Sequence, residues 1–137
     1  ATLKDIDKAV KIFEKENCPF ELMHTVSTYP MNDNDANLNM IKTLKDRYQC
    51  KVGYSGHEAS VSPSIIAASI GAYAIERHIT IDRAMYGSDQ AASLEPAGIR
   101  ELVNIIRKIP IVLGDGKRTI ISEEEKIATK LRYWLGK

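Results

Sequence analysis

The stretch Cys50–Glu58, CKVGYSGHE, predicts a compact strand, CKVGYS, followed by a glycine, a histidine and a glutamate. Helical patterns flank this strand on both sides. Before it, the apolar residues of segment 37–49 recur at helical spacing, and after it Ser62-Pro63 is typical of a helix start, with the serine as cap and the proline as first helical residue. A strand enclosed by two helices is the repeating unit of α/β proteins.

The same alternation of helical and strand-like patterns continues along the chain. Helices are predicted for residues 2–17, 37–49, 63–71 and 95–113, and strands for residues 20–30, 50–55 and 72–80. A last helix is predicted to start at the capping-box sequence Ser122–Glu125 and to end near Trp134. This order predicts parallel strands, as in an open doubly wound sheet or a (β/α)8 barrel. Because a complete barrel takes about 250 residues, we expect the chain to be part of a longer one.

Composition excludes several classes of function. The 137 residues are 44% hydrophobic and 27% charged, which suits one domain or part of one. With 19 basic and 18 acidic residues the net charge is +1, so the chain has no basic footprint for nucleic acid. Cys18 and Cys50 form no CxxC pair and are expected to be reduced thiols. No signal peptide or membrane-crossing run is evident, so we expect a cytoplasmic protein without a membrane partner.

Each predicted strand ends in two polar residues spaced two apart. The pairs are Ser27 and Tyr29, Ser55 and His57, and Glu76 and His78. Residues two apart in a strand point to the same side, and parallel sheets carry their chemistry at the carboxyl ends of the strands. A purely structural strand buried on both faces would carry Val, Ile or Leu at these positions. The three pairs therefore predict one shared site.

Two of the three histidines are predicted to lie at equivalent heights on neighbouring strands. His57 and His78 could share one divalent cation, with Glu76 or Asp89 completing the ligands or holding a bound water. The alternative for each residue is structural: a hydrogen-bonded histidine, an ion-paired Glu76, and an Asp89 that shapes a loop. His24 has no polar companion at spacing two and is expected to be structural.

Five segments in order carry a resemblance to a known family. They are HTVSTYP (24–30), VGYSGHE (52–58), AYAIERHIT (72–80), GSDQAASLEP (87–96) and IRKIPIVLGDG (106–116). Together they resemble the carboxyl half of the catalytic barrel in the sialic acid synthase family, which includes synthases of N-acetylneuraminic, legionaminic and pseudaminic acids. The resemblance covers nearly the whole chain.

The resemblance implies a (β/α)8 TIM barrel, of which residues 1–116 would be the carboxyl-terminal segment. Residues 117–137 would be a helical linker toward an antifreeze-like domain. The lysines that bind phosphoenolpyruvate in the family would belong to the earlier barrel units, so the isolated chain is expected to be inactive. The full-length protein is expected to be a homodimer.

The implied reaction condenses phosphoenolpyruvate with an N-acylated hexose, an N-acetylmannosamine-like sugar, to give a nine-carbon 2-keto acid and phosphate. By resemblance, His57 and His78 bind a divalent metal, expected to be Mn²⁺, with Mg²⁺ or Co²⁺ as alternatives, and Glu76 faces the reacting centre. The family usually has an aspartate where this chain has Gly56. We expect that difference to alter a contact around the metal or the substrate.

The remaining implied contacts are with the substrates. Ser55 matches a serine near the phosphate of phosphoenolpyruvate, and Asp89 matches an acid that binds the acyl-sugar. Tyr29 matches a sugar-contacting tyrosine and Ser27 its polar neighbour, and both are expected to belong to the substrate-binding residues. Two other interpretations stay open: a different metal-dependent barrel aldolase or lyase, and a non-catalytic truncated module that binds metal or assembles with other chains.

Overall fold

The structure, a computed structural model, describes residues 1–132. Helices α1 to α5 span Leu3–Lys15, Met40–Tyr48, Ser62–Ser69, Pro96–Leu113 and Ser122–Leu131, and strands β1 to β3 span Leu22–Thr25, Val52–Gly56 and Ile75–Arg77. The predicted alternation of helices and strands is confirmed. The predicted end of the last helix near Trp134 lies outside the described residues.

The three strands form one parallel sheet in the order β1-β2-β3. The strands are shorter than predicted, because the apolar runs continue into the loops that follow the strands. In these exit loops the backbone pairs only through isolated bridges, Met31 with Glu58 and Ile79 with Leu94. The register places Thr25, Ser55 and Glu76 side by side. The sheet therefore has a level carboxyl edge across all three strands.

The hydrophobic core lies between one face of the sheet and helices α2 and α3. Its buried residues are Ile41, Leu44, Val52, Tyr54 and Ala67. Because side chains alternate along β2, Tyr54 points into this core and Ser55 points to the opposite face. Among residues 1–132, none of the helices combines the length and apolar character needed to cross a bilayer.

Helix starts differ in detail from the prediction. Thr2 and Asp5 form the predicted capping box of α1. At α3 and α5, however, Ser62 and Ser122 are the first helical residues and not the caps. At α3 the role of the cap falls to the Glu58 carboxylate, which accepts the backbone N–H of Ser64 at 3.2 Å, because a helix start leaves such donors unpaired and favours negative charge.

Helix α1 is held to α2 by a polar contact at the surface. The Asp7 carboxylate accepts hydrogen bonds from Arg47 Nε (2.9 Å), Arg47 Nη2 (2.7 Å) and the Tyr48 hydroxyl (2.8 Å). The bonds from Arg47, and then the bond from Tyr48, lower the pKa of Asp7 from 3.8 to about 2. Folding therefore favours the ionised carboxylate.

This contact predicts a specific loss of stability in acid. Because the pKa of Asp7 is lower in the folded state, its contribution is complete above pH 3.8 and is lost as the pH falls through about 2. The Asp7→Asn variant should lack this part of the loss, whereas Asp46→Asn, with the same charge change at the surface of α2, should keep it. Acid unfolding followed by circular dichroism measures the difference. If Asp7→Asn and the wild type lost stability equally as the pH falls, the predicted contribution of the Asp7 contact would be contradicted.

Candidate functional site

Polar side chains gather on the face of the sheet opposite the core, at its carboxyl edge. Ser55 and Glu76 are register partners, and the Ser55 hydroxyl donates a hydrogen bond of 2.7 Å to Glu76 Oε1. Thr25 is the register partner of Ser55 on the other side, a position that the sequence prediction missed. Ser55 is buried, whereas Glu76 is exposed. The serine thus orients a carboxylate that remains open to solvent.

The two predicted histidines come together one step beyond this level. The ring centroids of His57 and His78 are 5.1 Å apart, and the rings are nearly perpendicular. His57 is 5% exposed, and its Nδ1 lies 2.7 Å from the Val26 carbonyl oxygen. Since a carbonyl only accepts, Nδ1 carries the proton and Nε2 keeps its lone pair. His78 is more exposed, with its Nδ1 3.6 Å from Asp89 Oδ2.

Tyr29 packs against both imidazoles. Its ring centroid is 4.2 Å from that of His57 and 5.5 Å from that of His78. The exit of β1 therefore contributes to the same cluster as the exits of β2 and β3. Ser27 is exposed and makes none of the hydrogen bonds or ring contacts of this cluster within residues 1–132. Of the predicted residues, it alone is not drawn into the cluster by a contact.

The histidine pair fits part of a metal site. A ligating histidine commonly donates its other ring N–H to a carbonyl or carboxylate, as His57 does to Val26. In the described part of the chain, however, no three His, Cys, Asp or Glu side chains come together in a way that could hold a metal ion. Neither Glu76 nor Asp89 thus completes a ligand set there. The described residues offer two imidazoles, and further ligands would have to come from water, substrate or other residues.

A buried polar network behind the site was missed from the sequence. Glu58 Oε1 is 3.0 Å from Arg77 Nη1, with side chains 0% and 4% exposed. Glu58 Oε2 accepts from the Tyr54 hydroxyl at 3.0 Å, and Oε1 accepts from Ser64 Oγ at 2.6 Å. A usable signal existed: each charged residue is adjacent to a site histidine, so strand alternation sends it to the opposite, buried face.

Burial shapes the protonation of this network. Desolvation raises the pKa of the Tyr54 phenol, and the negative charge of Glu58 raises it further. Tyr54 therefore stays a hydrogen-bond donor to the carboxylate. Desolvation lowers the pKa of Arg77, and the charge of Glu58 opposes that shift.

His24 lies outside the site, as predicted. Its Nε2 is 2.7 Å from the Ala36 carbonyl oxygen, and its ring faces Tyr54 with centroids 6.1 Å apart. It therefore belongs to the core side of the sheet, where a hydrogen bond satisfies it.

The fold and the site together define a class. The chain is an α/β protein with a polar, histidine-containing cluster at the carboxyl edge of a parallel sheet, which is where α/β enzymes hold their substrates. Residues 1–118 match the NeuB family, and the chain belongs to this family.

Similar proteins agree with this membership. The chain is 37% identical to the uncharacterized protein MJ1065 of Methanocaldococcus jannaschii (93% of this chain, 38% of that protein) and 36% identical to the N,N'-diacetyllegionaminic acid synthase of Campylobacter jejuni (92% and 39%). The crystal structure of the N-acetylneuraminic acid synthetase of Leptospira borgpetersenii is similar with a TM-score of 0.80 and 40% identity, over 97% of this chain and 46% of that one. The resemblance to sialic acid synthases is thus confirmed. The chain spans less than half the length of these relatives.

Proposed function

We propose that this chain forms the carboxyl-terminal part of a (β/α)8 barrel in a sialic-acid-type synthase. The enzyme would condense phosphoenolpyruvate with an N-acetylmannosamine-like sugar to a nine-carbon 2-keto acid and phosphate. The observation that carries the proposal is the pair of imidazoles, 5.1 Å apart, beside the Ser55–Glu76 pair at the carboxyl edge of the sheet. Membership of the NeuB family supports it. In this proposal residues 1–116 belong to the barrel, residues 117–137 form a linker, and the whole protein is a cytoplasmic homodimer.

His57 and His78 would hold the divalent metal, for which we propose Mn²⁺. When bound, such an ion polarises the aldehyde oxygen of the sugar as a Lewis acid. The hydrogen bond from His57 to Val26 supports this role, because it fixes the ring and leaves Nε2 free. Tyr29 packs against both rings and would help to hold them in place.

Glu76 would act on the carbon that becomes the ketone. Carbon 3 of phosphoenolpyruvate forms a bond with the aldehyde carbon of the sugar, which leaves positive charge on carbon 2. The Glu76 carboxylate, oriented by the Ser55 hydroxyl, would stabilise this charge and orient the water that adds there. The added water gives one proton to the former aldehyde oxygen, which becomes a hydroxyl. The bond between carbon 2 and the phosphate oxygen then breaks, the remaining proton leaves with the phosphate, and the ketone forms.

The other residues would bind the substrates. Ser55 would lie near the phosphate of phosphoenolpyruvate, and Tyr29, Ser27 and Asp89 would contact the sugar and its acyl group. The position of Asp89 beside His78 supports this assignment. A hydroxyl group of the sugar could donate a hydrogen bond to the Asp89 carboxylate while another part of the sugar lies next to His78.

Metal binding tests the part of the proposal that depends on the histidines. Calorimetric titration of Mn²⁺ into the chain should show binding that weakens by about 10-fold or more in a His57→Ala, His78→Ala double variant. His24→Ala removes the third histidine and is the matched control, because His24 lies on the core side. It should bind Mn²⁺ as the wild type does. Equal binding by all three proteins would exclude the two imidazoles as the ligands.

A further inference from the structure

The space beside Gly56 is filled by the carboxylate of another residue. An ideal Cβ on Gly56 would lie 2.5 Å from Glu58 Oε2 and 2.9 Å from Glu58 Oε1, with Tyr54 Cε1 also at 2.9 Å. In an aspartate, standard bond lengths put each carboxylate oxygen about 2.4 Å from its own Cβ. The oxygens of Glu58 therefore lie at nearly the distance from residue 56 that the oxygens of an aspartate there would have.

Position 56 also faces away from the imidazoles. Gly56 precedes His57, so strand alternation directs any side chain there to the opposite face, where Glu58 and Arg77 lie. The expectation that Gly56 alters a contact around the metal or the substrate stays a prediction, and the geometry gives such an effect an indirect route through the buried network. A side chain at position 56 would occupy the space that the Glu58 carboxylate fills in the buried network.

That network connects the two segments that carry the histidines. Glu58 directly follows His57, and Arg77 directly precedes His78, so the ion pair of 3.0 Å links the backbone beside one ring to the backbone beside the other. The same carboxylate holds the start of α3 through Ser64. Arg77 also donates to the backbone carbonyl oxygens of Glu58 and Ala92, so the guanidinium that the carboxylate orients holds both exit segments and, with them, the spacing of the rings.

We propose that Glu58 supplies, from two residues further along the chain, the carboxylate that position 56 could otherwise carry, and that it is the positioning residue for His57 and His78. The proposal rests on the function proposed above in one respect: the spacing of the two rings matters because they would hold the metal together. Two consequences follow from the geometry. A carboxylate is needed in this space to pair with Arg77, and there is room for only one.

A swap of the carboxylate between the two positions tests this directly. Gly56→Asp should lower the midpoint of thermal unfolding, because two carboxylates then compete for one space. Glu58→Ala should lower it because the buried Arg77 charge loses its carboxylate and keeps uncharged oxygen partners, the Ser64 hydroxyl and backbone carbonyls. The double variant Gly56→Asp, Glu58→Ala should regain more than half of the loss of either single variant. The control Gly56→Ala, Glu58→Ala provides the Cβ without the carboxylate and should not regain it.

The imidazole signals distinguish positioning from general stability. In ¹⁵N NMR spectra, Glu58→Ala should shift the ring nitrogens of His57 and His78 and weaken the preference of His57 for the Nδ1–H form, and the swap should restore both. The control variant Asp46→Asn removes a carboxylate at the exposed surface of α2 and should leave the signals of both rings unchanged. These readouts need neither metal nor substrate, so they remain decisive if the proposed synthase function fails.

Two results would overturn the proposal. One is a swap variant that loses as much stability as the sum of the two single variants. The other is a folded Glu58→Ala variant whose His57 and His78 signals match those of the wild type. If Glu58→Ala does not fold, the comparison of the swap with the Gly56→Ala, Glu58→Ala control decides, because only the swap should give a folded chain with wild-type imidazole signals.

Discussion

Replacing Arg77 by methionine should lower the free energy of unfolding by about 3–5 kcal/mol, since removing one partner of a buried ion pair leaves the other charge uncompensated. Methionine keeps most of the length and apolar stem of arginine, so lost packing contributes little. The Glu58 carboxylate would remain fully buried, with only the uncharged Tyr54 and Ser64 as donors. Denaturant unfolding followed by circular dichroism measures the loss.

Two further variants identify the cause of this loss. Arg47→Met is the same substitution in the exposed ion pair with Asp7 and should have a much smaller effect, because water screens that pair. The double variant Glu58→Gln, Arg77→Met removes both buried charges and should be more stable than Arg77→Met alone. Equal losses for Arg77→Met and Arg47→Met would show that the buried pair is not desolvated in solution.

Replacing Glu76 by glutamine should lower kcat by at least about 100-fold, the smallest effect expected when a group that stabilises charge or orients water is removed. The change keeps the size of the side chain and its hydrogen bond from Ser55, and removes only the negative charge. The assay uses a chimera in which residues 1–118 replace the aligned segment of the Leptospira borgpetersenii synthetase, a match of 40% identity. Phosphate release from phosphoenolpyruvate with N-acetylmannosamine is measured.

The control in the same chimera is Glu14→Gln on the exposed surface of α1, which should leave kcat unchanged. Turnover that persists in Glu76→Gln would remove Glu76 from the reaction. A folded chimera with the native residues that releases no phosphate would count against the proposed function as a whole.

The sequence predicted the parts of the fold and site that depend on local periodicity. The change between helical and strand-like spacing was enough for the order of elements, and the spacing of two between polar residues was enough to bring Ser55, His57, Glu76 and His78 to one edge. These predictions succeeded because alternation along a strand and parallel pairing are properties of the backbone. The metal stays a prediction, since the described residues offer only two of its ligands.

Alternation could have placed Glu58 and Arg77 on the buried face of the sheet, but it could not predict that the two residues pair. Glu58 and Arg77 are charged residues next to loops, and a single sequence favours solvent for such residues. Only the fold brings them together, 19 positions apart, and encloses them between the sheet and α3. The misplaced cap of α3 has the same origin, because the Glu58 carboxylate reaches a helix start that local patterns had assigned to Ser62.

Residues of the site and residues of the buried network alternate along β2 and β3 and the segments that follow them. This alternation limits which insertions and deletions the gene can tolerate. His57 and Glu58 are neighbours that face opposite sides of the sheet, as are Arg77 and His78. Deleting or inserting one codon in either strand would turn the carboxylate or the guanidinium toward the open edge and an imidazole toward the interior. Insertions and deletions should therefore accumulate only in the connecting loops, while the two strand ends keep a constant length through evolution.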